Sequence, residues 1–121
     1  MKTLYFKKGE DIVQENDLSD CVYIIHSGLV EVTRMTAEGE KKVIADLGEN
    51  EIFGEMGLID GLPRSATVTA LEDSTVSSIS KECFDSLSRH NPEALMPILK
   101  ILVSRLRAVL DKNHPISQLD I

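Results

Sequence analysis

Through most of the chain, short segments alternate hydrophobic and polar positions and are separated by glycine and acidic turns; the last third changes to a helical period. Leu4-Tyr5-Phe6 leads into Lys7-Lys8-Gly9-Glu10, and Asp11-Ile12-Val13-Gln14 into Glu15-Asn16-Asp17. Cys21 to His26 is an apolar run closed by Ser27-Gly28. From Leu29 to Met35, Val30 and Val32 share one face, Glu38-Gly39 marks a hairpin tip, and Lys42 to Leu47 returns with Val43, Ala45 and Leu47 alternating. Ala66, Val68 and Ala70 repeat the alternation, and Thr75 to Ile79 supplies a last strand. About eight short strands with this spacing predict an eight-stranded antiparallel β jelly roll over about residues 3–80.

Two helices are predicted to follow. Ser80 caps a short one running to Arg89, with Phe84 and Leu87 facing the barrel, and Asn91-Pro92-Glu93 starts a long one reaching about Asn113. Pro97 is expected to kink its first turns, because proline lacks the N–H for one intrahelical bond. From Ala94 to Leu110 the only polar residues are Lys100, Ser104, Arg105 and Arg107. Leu95, Leu99, Leu102, Leu106 and Val109 form a coiled-coil-like seam, and Ile98, Ile101 and Ala108 form a second apolar stripe. One stripe can cover the barrel, and the other is expected to make a homodimer. The alternative is a helix packed on both sides within one molecule.

Composition narrows the function. A length of 121 residues is one domain's worth, so residues 1–121 are read as one unit, and 42% hydrophobic content is enough for a core. A formal net charge of −7 disfavours a broad nucleic-acid or anionic-membrane footprint, so an anionic ligand has to be held by local groups. The N-terminal Met-Lys-Thr-Leu-Tyr-Phe-Lys-Lys-Gly lacks the apolar core of a signal peptide, and no apolar run is long enough to span a bilayer; a cytoplasmic location is expected. Cys21 and Cys83 lack metal-ligand spacing and are expected to be buried free thiols. His26, His90 and His114 stand on three different segments without ligand-spaced partners, so no metal is expected. No nucleophile motif or P-loop is present, so catalysis is not expected.

The chemistry concentrates in Phe53 to Ala70. Gly54 permits close backbone approach or a positive φ, and Glu55 to Ile59 can form one helical turn whose leading N–H groups attract an anion. Asp60-Gly61-Leu62-Pro63 reads as the returning turn, after which Arg64 supplies a fixed cationic fork and Ser65 a hydroxyl. Glu55 beside these donors would repel a phosphate unless it accepts hydrogen bonds from neutral hydroxyls such as those of a ribose. That combination suggests a nucleotide. The order and spacing resemble the phosphate-binding cassette of the cyclic-nucleotide-binding domain family. The resemblance implies that Gly54 and Glu55 meet the ribose, that Arg64 and Ser65 hold the cyclic phosphate, and that Met56 and Ala66 complete the contacts. It extends over Ile12-Val13, Asn16-Asp17, Val22-Tyr23-Ile24-Ile25 and Gly28, with Asn16 where the family usually has glycine; asparagine tolerates the left-handed turn. The chain also starts almost at the first strand, where many relatives carry a helix.

Within the family the chain most resembles bacterial catabolite-activator-type regulators, whose long helix contacts adenine through two hydroxyl residues. Val109 and Leu110 align there, so the base is expected to rest on apolar surface, with Val32 and Ile44 as walls. Ser65 rather than threonine after the arginine favours cAMP over cGMP. No helix-turn-helix is recognisable, so any effector is expected to be a separate protein or another part of a longer polypeptide. The competing readings are a barrel serving only assembly and a jelly-roll enzyme.

Overall fold

The computed structural model describes the backbone of residues 2–112 and the side chains of residues 2–108. Eight strands form two four-stranded antiparallel sheets: β1 (Lys2–Phe6), β8 (Ser74–Ser80), β3 (Cys21–Ser27) and β6 (Ile52–Phe53) in one, and β2 (Asp11–Val13), β7 (Thr67–Ala70), β4 (Val30–Met35) and β5 (Lys41–Leu47) in the other. The jelly roll is therefore present, with Ile52–Phe53 as a short strand leading into the cassette. Its core is the space between the sheets, filled by Tyr23, Ile25, Phe53 and Val76 from one and Val13, Val30, Val32, Leu47 and Val68 from the other, with Ala66 added from just before β7. The alternation of β4 and β7 places Val30, Val32, Val68 and Ala70 inward, as their spacing predicts.

β3 is apolar on both faces because both are covered. Tyr23 and Ile25 face the core, while Val22 and Ile24 pack with Ile79 and Leu58 on the outer side, together with Cys83 and Phe84. In β5 the alternation breaks. Val32 pairs with Ala45 but Thr33 with Val43, so Ile44 is the extra residue of a bulge. The bulge reverses the phase: Ile44 packs against the core and Val43 is 54% exposed.

The first long-range helix, α2 (Lys81–His90), begins where expected, with Ser80 Oγ accepting from the Cys83 N–H at 3.1 Å. The start of the long helix differs from expectation. Pro92–Leu95 is a 3₁₀ turn, Asn91 makes no side-chain cap, and α3 begins only at Met96 and runs to Lys112. Pro97 thus stands in the first turn of α3, where the missing N–H costs no helical bond, and acts as a helix start rather than a kink. The predicted seam is also rotated. Met96, Leu99, Val103 and Leu106 are about half exposed, whereas Ile98 is buried and Leu102 and Arg105 are partly buried. No helix among the described residues is long and apolar enough to cross a membrane.

Candidate ligand-binding site

At the end of β6 the backbone turns at Gly54 (φ 84°, ψ 6°) into α1 (Glu55–Asp60). Two constraints require glycine here: the positive φ, and a Cβ that would lie 2.3 Å from Arg64 Nη1. α1 closes at Gly61, whose N–H donates to the Gly57 carbonyl, and Asp60 Oδ1 accepts from the Leu62 N–H at 2.9 Å. Arg64 is then clamped by the β2–β3 loop: its N–H donates to the Asp17 carbonyl, and its carbonyl accepts from the Asn16 N–H, both at 2.8 Å. Asn16 has φ 74°, the left-handed conformation its position predicts.

Arg64 is only 5% exposed. Its Nη1 donates to the Gly54 carbonyl at 3.1 Å and its Nη2 to the Cys21 carbonyl at 2.7 Å. The guanidinium carbon lies 5.6 Å from the centre of the Tyr23 ring, which stacks on Phe53 at 5.0 Å. Asp20 approaches Nη2 at 3.6 Å, but its side chain is 82% exposed, so this pair contributes little beside the two carbonyl bonds. Burial pushes up both the Cys21 thiol and the Tyr23 phenol, so both groups beside the guanidinium are uncharged at neutral pH. Cys21 and Cys83 are both free thiols and only partly buried.

Glu55 is fully buried and does not line the cavity below. Its Oε1 accepts from Arg105 Nη1 of α3 at 2.7 Å, and Arg105 Nη2 also donates to the Ile52 carbonyl. Among the described residues, Glu55 Oε2 has no hydrogen-bond partner. This ion pair draws the carboxylate away from the cassette surface toward the helix.

Beneath the cassette is a cavity of about 210 Å3. Of the residues singled out in the sequence, Gly54, Met56, Arg64, Ser65, Ala66 and Val32 line it. Ile44 does not, because the bulge turns it onto the core, and the Val109 side chain lies outside the described residues. Besides the apolar lining of Val13, Phe53 and Val68, three polar contributors were missed. Arg105 interrupts an apolar run, Arg34 follows Val30 and Val32 at the same spacing, and Ser19 sits in an acidic loop with a buried hydroxyl that has no partner among the described residues. The first two carried a signal: a charged residue where the periodicity calls for an aliphatic one. Ser19 carried none. Among the described residues no cluster of His, Cys, Asp and Glu is arranged to hold a metal.

Residues 3–91 match the cyclic nucleotide-binding domain family, and the chain belongs to it. The chain is similar to the cyclic AMP receptor protein of Thermus thermophilus, 33% identical over 84% of this chain and 47% of that protein. It is also similar to the lysophospholipase NTE1 of Chaetomium globosum, 30% identical over 92% of this chain and 7% of that protein. Among solved structures, the Thermus thermophilus catabolite activator protein superposes with a TM-score of 0.81 at 32% identity, covering 93% of this chain and 53% of that one. The chain thus spans less than half the length of either sequence relative.

Proposed function

We propose that the chain is a sensory module that binds a cyclic nucleotide, cAMP in preference to cGMP, and relays occupancy through α3. The observation that carries the reading is the convergence on one cavity of Gly54, Arg64, Ser65 and Ala66 with the apolar wall of Val13, Val32, Phe53 and Val68. Polar donors together with apolar surface in one lining suit a phosphate-ribose and a base respectively. A cavity of 210 Å3 is smaller than the ~300 Å3 at the low end of ligand pockets, so part of the nucleotide extends beyond it. Arg64 and Ser65 hold the cyclic phosphate, and Glu55, which in this structure is buried against Arg105 and off the cavity lining, turns toward the ribose 2′-hydroxyl when the nucleotide binds and gives up part of its hold on Arg105. Calorimetric titration with cAMP and cGMP tests this directly. cAMP is expected to bind more tightly, and 2′-deoxy-cAMP more weakly than cAMP. Equal affinity for the deoxy analogue would give Glu55 another role.

The relay reading is supported by the Glu55–Arg105 pair, which links the cassette to α3. A ligand shifts a conformational equilibrium only by its differential affinity for the two states, and a hydroxyl at Glu55 alters the partner of Arg105. The half-exposed stripe of Met96, Leu99, Val103 and Leu106 is the proposed homodimer face. Burying each such side chain is worth about 1.5–3 kcal/mol, so repacking one or two suffices to move a switch of a few kcal/mol. Amide exchange across residues 94–112 is expected to slow when cAMP binds, in a chain whose solution mass is that of a dimer. A monomer with identical exchange in both conditions would leave binding without a switch.

A second reading, a barrel serving only assembly, is favoured by the engagement of Arg64 with the Gly54 and Cys21 carbonyls. A dimer that takes up neither nucleotide would establish it.

A further inference from the structure

Arg34 is a second guanidinium beside the cavity that Arg64 and Ser65 line. Its place follows from the sheet. Val30 and Val32 are the fully buried inward positions of β4, and Arg34 comes next at the same spacing. The ladder between β4 and β7 runs from Val30↔Ala70 to Thr33↔Thr67 and ends there, while β4 continues to Met35 against β5 alone. Just beyond the last β4–β7 pair, the Ser65 carbonyl takes a hydrogen bond from a side chain: Arg34 Nε donates to it at 2.9 Å. The arginine therefore replaces a strand rung at the residue that follows Arg64.

We propose that Arg34 is a positioning residue of the ligand site, holding the Ser65–Ala66 peptide in the orientation that binds the phosphate and adding its charge to that of Arg64. The inference rests on the cyclic-nucleotide reading of the cavity. The peptide is a rigid plane with its C=O and N–H pointing in opposite directions, so anchoring the Ser65 carbonyl also sets the direction of the Ala66 N–H. In a chain of net charge −7 an anion meets repulsion at long range, and a second fixed cation at a partly buried site offsets it locally. Asp11, Glu15 and Lys41 line an adjoining depression together with Arg34, so its field is shared with that more open face and acts on the ligand over a short range.

The test uses the whole chain, cAMP as probe, and the variants Arg34→Gln, Arg34→Lys, Ser65→Ala and the Arg34→Gln/Ser65→Ala double. Arg34→Gln is expected to weaken cAMP about tenfold, the range of one charge-assisted hydrogen bond, and Arg34→Lys less. Because Arg34 acts through Ser65, the double variant is expected to lose less than the product of the two single losses. In the ligand-free protein, amide exchange at Ser65 and Ala66 is expected to accelerate in Arg34→Gln. Unchanged exchange there, or wild-type affinity for cAMP, would overturn the proposal. If the wild type binds neither cyclic nucleotide, the functional reading fails, while the exchange comparison still decides whether Arg34 holds the Ser65–Ala66 backbone. Should Arg34→Gln not fold, Arg34→Lys carries the same two readouts.

Discussion

Arg105→Ala is expected to destabilise the protein by about 3–5 kcal/mol, the range for removing one partner of a buried ion pair. Glu55 is 0% exposed and Arg105's side chain only 17%, so the pair is shielded from water on the carboxylate side. Deleting the guanidinium strands a buried carboxylate whose Oε2 already lacks a partner among the described residues, and removes the donor to the Ile52 carbonyl as well. The cost comes from the uncompensated charge rather than from the attraction lost. The double variant Glu55→Gln/Arg105→Met is accordingly expected to be milder than Arg105→Ala alone, because no buried charge remains. Urea unfolding followed by circular dichroism measures both; the chain has no tryptophan to report by fluorescence. A loss below about 1 kcal/mol in Arg105→Ala would mean that α3 moves aside and the carboxylate rehydrates. The contact between cassette and helix would then be too loose to couple them.

Arg64→Lys is expected to lower cAMP affinity about tenfold or more while the fold survives. Arginine presents a planar fork to a phosphate, and a charge-assisted contact away from water is worth roughly 1.5–3 kcal/mol; an ammonium does not reproduce the bidentate geometry. The lysine keeps the positive charge over Tyr23 but does not reach the Gly54 and Cys21 carbonyls together, which Arg64 binds through separate nitrogens. A stability loss of about 1–3 kcal/mol is therefore expected alongside the affinity loss. Titration and thermal unfolding of the same sample separate the two effects. A variant that unfolds normally and titrates like the wild type would remove Arg64 from the phosphate site.

The sequence by itself determined what depends on neighbours in the chain. Alternation at period two marked Val30, Val32, Val68 and Ala70 as inward-facing, since a strand's geometry is set residue by residue. The cassette was legible because Gly54, the turn at Gly61, and Arg64 with Ser65 lie on one continuous segment whose backbone restrictions are local. Ser80 was likewise readable as a cap, because its partner is three residues away. Tertiary structure decided the rest. Glu55 faces Arg105 across fifty residues of chain, and nothing near either residue states that pairing. The bulge that turns Ile44 onto the core arises from how β4 pairs with β5, which neither strand carries alone. Which stripe of α3 lies against the barrel was also undetermined, because both are apolar and the helical period is satisfied by either. The barrel surface, together with the fixed reach of Arg105 to Glu55 and Ile52, selects the rotation of the helix and leaves Met96, Leu99, Val103 and Leu106 outward.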